Sequence, residues 1–143
     1  VELLPDYSFL LIGNASADCS KLKSFRNVFM TGQRPYEDIP HYGKIFDAAI
    51  MPWQQNDWIK ACNPIKLKEY LALGKPIIST PFTELNKYSD IVNVAESPEE
   101  FAEKIKIAIK EDTPEKQKRR QQRVKEFSWE SKAETVINEL FQK

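Results

Sequence analysis

The sequence predicts an α/β fold in which a parallel sheet carries helices on both faces. Short apolar runs bounded by glycine, proline or asparagine alternate along the chain with segments of helical pattern. One stretch, residues 63–80, runs from a helix start through a glycine stop directly into a strand pattern. Strands and helices that alternate in this way form a parallel sheet with helices packed on both sides.

Composition limits the classes of protein to consider. The chain of 143 residues has 21 basic and 21 acidic side chains, a balance that argues against a general polyanion-binding protein and favours a specific site. The longest apolar run, residues 9–12, is too short to span a bilayer. Cys19 and Cys62 lack the spacing of metal ligands. The lone His41 is more typical of a structural role than of a catalytic one. No signal peptide opens the sequence. We therefore expect a cytoplasmic protein with reduced thiols and no bound metal.

Three strands are predicted in the first part of the chain, at residues 7–13, 27–32 and 47–53. Residues 14–23 are expected to form a loop with a helical turn near Ser20, and residues 36–46 a short helix that contains Pro40. Residues 54–62 read as a polar loop after the third strand. That position is the edge of a parallel sheet where α/β proteins place their ligands.

The central helix and strand are predicted in residues 63–80. Asn63 is expected to cap the helix with its side chain, and Pro64 suits the first helical position because it needs no backbone donor there. Gly74 predicts a left-handed stop, and Pro76 prevents the helix from continuing. A short buried strand is expected at residues 76–80.

Glu69 is the acidic residue of this mostly apolar helix. It falls between Ile65 and Leu73 on the helical wheel, where apolar neighbours limit hydration of its carboxylate. A carboxylate in such a place needs a partner. Lys66, three residues earlier, is one candidate. A pair of ligand hydroxyl groups is the other, because an ionised carboxylate accepts hydrogen bonds from two directions.

The rest of the chain predicts a short helix at residues 83–89, a strand at 91–95 and three longer helices. The helices begin after Ser97, Thr113 and Ser128, each a favourable N-cap residue. The middle helix holds six Lys or Arg in residues 116–125. Nucleic acid or an anionic membrane would suit such a charge run. A solvated helix face is favoured, because no aromatic side chains are interleaved for base stacking.

Two motifs resemble a known family. Residues 63–78 read Asn-Pro-x-Lys-Leu-x-Glu-Tyr-Leu-Ala-x-Gly-Lys-Pro-Ile-Ile, and residues 32–40 read Gly-x-Arg-Pro-Tyr-Glu-x-Ile-Pro. The first resembles the donor-binding signature of GT-B glycosyltransferases of the "glycosyl transferases group 1" type, and the second also resembles a segment common in that family. The resemblance implies a Rossmann-like three-layer sandwich, the C-terminal half of a GT-B fold, with extra C-terminal helices. In this interpretation residues 1–127 are an N-terminally truncated nucleotide-sugar-binding domain and residues 128–143 are its last helix.

The resemblance also implies site residues. Glu69 would hold the ribose hydroxyls of a UDP- or GDP-sugar, and the helix amino end would face the diphosphate. A helix N-terminus is a suitable anion site because of its free amides and its dipole. The residues at this end are Asn63, Pro64, Ile65 and Lys66, with Arg34 as a weaker candidate. Many retaining members carry a second glutamate eight residues earlier, where this chain has Ala61, so the catalytic residues stay unknown.

Two tryptophans flank the predicted loop at residues 54–62. Trp53 and Trp58 either form an aromatic wall for a base or sugar, or pack on the sheet. The sequence leaves both alternatives open.

The leading hypothesis is the donor-binding domain of an enzyme that transfers a sugar in bacterial surface polysaccharide synthesis. The resemblance implies an acceptor-binding domain before this chain, no metal or other cofactor, no nucleic acid partner, and peripheral membrane association of the full-length enzyme. Residues 1–6 resemble the tail of a helix and a turn that ends at Pro5-Asp6, and we expect the fragment alone to be inactive. A phosphoacceptor signalling domain is an alternative, but it needs acids where the first strand ends at Gly13-Asn14. A protein-interaction module that uses the basic helices is a third.

Overall fold

Parallel strand pairs form the framework of the chain. The computed structural model describes residues 1–141, which divide into two units, Val1–Ile45 and a second that begins at Phe46. In the first unit β1 (Phe9–Leu11) pairs in parallel with β2 (Val28–Met30). The helical segments of this unit are α1 (Ser20–Lys23), a 3₁₀ turn (Tyr36–Asp38) and α2 (Ile39–Lys44). The two strands and the helical turn near Ser20 confirm the sequence predictions.

The helix tail predicted within residues 1–6 is wrong, whereas the turn predicted to end at Pro5-Asp6 is confirmed. This segment consists of turns, and the Leu4 N–H donates to the Val1 carbonyl at 3.0 Å. The Asn27 side chain holds it further, donating to the carbonyls of Leu4 at 3.0 Å and Tyr7 at 2.9 Å. A long-range side chain thus holds turns where the local pattern predicts a helix tail.

The second unit contains a three-stranded parallel sheet in the order β3-β4-β5. The strands are β3 (Ala49–Met51), β4 (Ile77–Ser79) and β5 (Asn93–Val94). Around them lie α3 (Asp57–Lys60), α4 (Ile65–Ala72), a 3₁₀ segment (Thr83–Tyr88), α5 (Pro98–Lys110), α6 (Pro114–Lys125) and α7 (Trp129–Phe141). The predicted polar loop at residues 54–62 therefore includes the short helix α3. Its start depends on the Asn56 side chain, which accepts a hydrogen bond from the Ile59 N–H at 2.9 Å.

Both faces of the central strand β4 are buried. Ile77 belongs to the same core cluster as Leu67 and Leu71 of α4, and all three are fully buried. The next residue, Ile78, is also fully buried and points to the opposite face, because side chains alternate along a strand. α5 packs against β4 and β5 and buries Ile105. The predicted α/β class, a parallel sheet with helices around it, is confirmed.

The three C-terminal helices begin where the sequence predicts. The N-cap side chains of Ser97 and Thr113 accept hydrogen bonds from the first turns of α5 and α6, and Ser128 accepts one from Ser131 at the start of α7. Gln142 and Lys143, the end of the predicted helix at residues 128–143, lie outside the described residues. The proposed limits of the nucleotide-sugar-binding domain, residues 1–127, stay a prediction.

Candidate functional site

The amino end of α4 carries no side-chain cap. The helix begins at Ile65, and its N-cap is Pro64, with φ −67° and ψ 127°. The predicted N-cap at Asn63 and first helical position at Pro64 are therefore one residue too early. The reason is a contact outside the capping pattern: the Lys68 ammonium donates to Asn63 Oδ1 and engages the oxygen that would have capped the helix. Free first-turn amides of this kind suit an anion.

Exposed side chains surround this helix end. Ile65 is 68% exposed, and Asn63 and Lys66 are exposed as well, whereas Pro64 is buried. Lys66 thus presents its positive charge to solvent one residue beyond the helix start. An anion at the α4 amino end would meet backbone N–H groups, the helix dipole and a lysine side chain.

Glu69 lies one turn farther along α4 and is half-buried. Its neighbour Tyr70 is half-buried too, and burial raises the pKa of the Tyr70 hydroxyl, with a further contribution from the negative charge of Glu69. The limited hydration that the sequence predicts for Glu69 agrees with this position. The carboxylate and the helix amino end belong to the same short helix, so an acceptor of hydrogen bonds lies about one turn from the uncapped backbone amides.

The carboxyl ends of β3 and β4 are tied together beside α3. The Thr80 hydroxyl donates to the Trp53 carbonyl at 2.9 Å, and the buried Ser79 hydroxyl donates to the Met51 carbonyl at 3.1 Å. Trp53 packs against the core cluster, and its ring centroid lies 6.0 Å from that of Trp58. The buried Trp53 Nε1 finds no hydrogen-bond partner among residues 1–141.

The two tryptophans differ in exposure. Trp53 is half-buried, which agrees with packing on the core, while Trp58 is 64% exposed on α3. Of the pair, Trp58 therefore offers the larger free aromatic surface. An aromatic wall for a ligand stays a prediction for both residues.

Arg34 lies in the unit Val1–Ile45, which is described by itself. It is exposed in the loop that follows β2, next to Gly32, whose φ of +68° is the left-handed conformation that glycine favours. The same unit has a cavity of about 380 Å³ at the carboxyl ends of β1 and β2, lined in part by Asn14 and Asp18. Sequence reasoning missed this cavity, although it lies where parallel strands end.

Lys68 is the residue at the site that sequence reasoning missed. Its side chain is 18% exposed, lies 3.6 Å from the Glu84 carboxylate and contacts Asn63. The sequence pattern placed it among the polar surface positions of α4. The spacing of five residues between Asn63 and Lys68 is the one local signal that could have indicated the contact.

Within the described residues 1–141, no three or more His, Cys, Asp and Glu side chains are grouped in a way that could hold a metal ion. The helices of the same described range include none with the length and apolar character needed to cross a membrane.

The chain belongs to the family described as glycosyl transferases group 1, whose model matches residues 2–111. This range includes β1 to β5 and the whole of α4. The family predicted from the two motifs is thus confirmed, and the fold is the Rossmann-like α/β layout that the family implies.

A curated relative is the Bacillus subtilis (strain 168) protein named "Putative teichuronic acid biosynthesis glycosyltransferase TuaH". It is 36% identical to this chain over 87 residues, which are 58% of this chain and 22% of the relative. The chain thus matches less than a quarter of that protein's length. The name of that relative refers to teichuronic acid biosynthesis.

Proposed function

We propose that this chain is the donor-binding part of a glycosyltransferase that transfers a sugar from a UDP- or GDP-sugar to an acceptor. The observation that supports it most is the uncapped amino end of α4, one turn before the half-buried Glu69, inside the region matched by the family. The B. subtilis relative supports a role in bacterial surface polysaccharide synthesis.

In this proposal the diphosphate lies at the α4 amino end. The free amides of Ile65 and Lys66 donate to phosphate oxygens, and the Lys66 ammonium adds a mobile positive charge. The ionised Glu69 carboxylate accepts hydrogen bonds from both ribose hydroxyls. Fixed dipoles and Lys66 would then stabilise the negative charge that develops on the leaving diphosphate, without a bound metal.

The reaction requires more than this chain. In this proposal the acceptor site and the catalytic residues that act on the acceptor belong to the rest of the full-length protein. We therefore propose that the isolated chain binds nucleotide without turnover. We place the full-length enzyme in the cytoplasm, in peripheral association with the membrane where surface polysaccharides are assembled.

The ribose assignment is tested by calorimetric titration of the chain with UDP and GDP. Glu69→Ala is expected to weaken binding of the preferred nucleotide by about 1.5–3 kcal/mol, the value of a hydrogen bond to a charged group. Glu134→Ala, which removes an exposed carboxylate from α7, is the matched control and should leave affinity unchanged. If a folded Glu69→Ala variant binds as tightly as the wild type, the ribose assignment is wrong.

The diphosphate assignment is tested by reversing a charge. Lys66→Glu should weaken nucleotide binding at low salt by about tenfold or more, because it places a carboxylate beside the phosphates. Lys118→Glu makes the same change at an exposed position of α6 and should have little effect. Binding should also survive addition of a metal chelator. Equal affinities of the two variants would place the phosphates elsewhere.

A further inference from the structure

A lysine is partly buried behind the α4 amino end. The Lys68 side chain is 18% exposed, and the Glu84 carboxylate, 3.6 Å away, is 11% exposed. The Lys68 Nζ also lies 6.0 Å from the ring centroid of Tyr88 and 5.8 Å from that of Phe127. Burial lowers the pKa of the Lys68 ammonium, and the Glu84 carboxylate opposes this shift.

The ammonium group joins three segments of the chain. It extends from α4, pairs with Glu84 of the 3₁₀ segment Thr83–Tyr88, and donates to Asn63 Oδ1. Asn63 immediately precedes Pro64, the N-cap residue of α4. Lys68 therefore holds the short connection that sets where the first amides of α4 point.

Stability alone does not require a lysine at this place. A partly buried ion pair loses hydration energy, and well-packed apolar side chains often stabilise a protein as well or better. The neighbouring Lys87 pairs with the same carboxylate at 2.8 Å from a side chain that is 63% exposed, so Glu84 has a second cationic partner. What Lys68 has and Lys87 lacks is the contact with Asn63.

We propose that Lys68 is a positioning residue for the diphosphate of the donor: it acts through Asn63 and keeps the uncapped first turn of α4 in the geometry that receives phosphate oxygens. This inference rests on the function proposed above. Lys68 does not itself contact the ligand in this arrangement. By engaging the Asn63 carboxamide, it also prevents that group from capping the helix and competing with the phosphate.

The test is a double-variant cycle on nucleotide affinity. Lys68→Met, Asn63→Ala and the double variant are titrated with whichever of UDP and GDP the wild-type chain binds, at a temperature where circular dichroism shows each of them folded. Each single variant should weaken binding by about tenfold. The double variant should be no weaker than the single ones, because the two residues act as one unit. Lys68→Arg, which keeps the charge and its donors, should recover most of the affinity.

The control variant is Lys87→Met, which removes the other partner of Glu84 and should leave nucleotide affinity within about twofold of the wild type. Wild-type affinity in Lys68→Met overturns the positioning role while the proposed function stands. Additive losses in the cycle also overturn it, because Lys68 would then act independently of Asn63. If Lys68→Met does not fold, the nucleotide affinity of Asn63→Ala decides, since this variant leaves the Lys68–Glu84 pair in place. Wild-type affinity in Asn63→Ala would then overturn the positioning role. A wild-type chain that binds neither nucleotide overturns both proposals.

Discussion

Helices α6 and α7 follow one another in the chain, and their packing is the reverse of what their compositions suggest. The polar helix α6 is packed against the rest of its unit, whereas the more apolar helix α7 is exposed. α6 contains one aliphatic residue, Val124, yet it packs against α4 and buries Arg120. α7 contains six aliphatic or aromatic residues in its thirteen, yet none of its described side chains is buried. Trp129 at its start is 88% exposed. Apolar content therefore does not decide which of the two helices is fixed to the core.

Arg120 anchors α6 through directed hydrogen bonds. Its side chain is 6% exposed, its Nε donates to the Gly74 carbonyl at 2.8 Å, and its guanidinium pairs with Asp112. Gly74 has φ of +73°, and a Cβ there would lie 3.1 Å from the Gln121 amide of α6. Close approach at this glycine allows the carbonyl at the end of α4 to meet Arg120. One buried cation thus joins α6 to the end of α4.

The largest effect is expected from Arg120→Met. This change removes the cationic partner of Asp112, a nearly buried carboxylate that keeps the neutral Gln117 amide as a donor, and it removes the donor to the Gly74 carbonyl. Breaking a buried ion pair in this way costs about 3–5 kcal/mol of the free energy of unfolding. Urea denaturation measures the loss, and Lys118→Met, at an exposed position of the same helix, should leave the midpoint unchanged.

A second variant sharpens this prediction. Arg120→Met combined with Asp112→Leu removes both charges and should recover part of the stability. If Arg120→Met alone unfolds at the same urea concentration as the wild type, Arg120 does not anchor α6, and the difference between the two helices needs another explanation.

Removing the N-cap of α6 should lower the free energy of unfolding, whereas removing the N-cap of α7 should lower only the helix content. Thr113→Ala removes the acceptor of the Lys116 N–H, which is 3.3 Å away, and should lower the free energy of unfolding by about 1 kcal/mol because α6 is part of the core. Ser128→Ala removes the acceptor of the Ser131 N–H at 3.1 Å. Because α7 buries no described side chain, this change should reduce helix content by circular dichroism and leave the urea midpoint nearly unchanged. Equal shifts of the midpoint would contradict the distinction.

The smallest effect is a difference in acid titration. The backbone N–H of Glu115 and, to a smaller extent, the Thr113 hydroxyl hold the pKa of the Glu115 carboxyl below its usual value. The backbone N–H of Glu130 and the Ser128 hydroxyl lower the pKa of the Glu130 carboxyl in the same way. A carboxylate with a depressed folded-state pKa contributes stability above its unfolded pKa and loses it as the pH falls through the folded value. Below about pH 4.5, the free energy of unfolding should therefore decrease less steeply with falling pH in Glu115→Gln than in the wild type. Glu130→Gln should instead reduce only the acid-induced loss of helix content, measured by circular dichroism. Carboxyl pKa values at or above the usual value, measured by NMR, would contradict both.

Elements with strong local signals were predictable from the sequence. The starts of α5, α6 and α7 depend on a capping side chain that bonds within three residues of itself, and the left-handed Gly74 marks the end of α4. Because these signals depend only on neighbouring residues, the local sequence is sufficient to predict them. The helical pattern placed Glu69 on α4, and the family motifs added the hypothesis that it binds ribose, which stays a prediction.

Features set by distant partners were not predictable in this way. The start of α4 was placed one residue early because Lys68 engages Asn63, and the solvated face predicted for α6 hides Arg120. In both cases a cation on one helix meets an acceptor whose position is known only after the chain has folded. The turn at residues 1–4, in place of the predicted helix tail, depends in the same way on the Asn27 side chain.

The hydrogen bond from Arg120 to the Gly74 carbonyl joins residues 46 positions apart. A ribosome makes the chain from its amino end, so α4 and β4 leave it well before Arg120 has been added. During that interval the end of α4 lacks its partner helix, and the apolar side chains of the unfinished unit are accessible to other proteins. We therefore expect the second unit to acquire its final packing only after Arg120 has been added, and chains that stall before Arg120 to be preferred clients of chaperones.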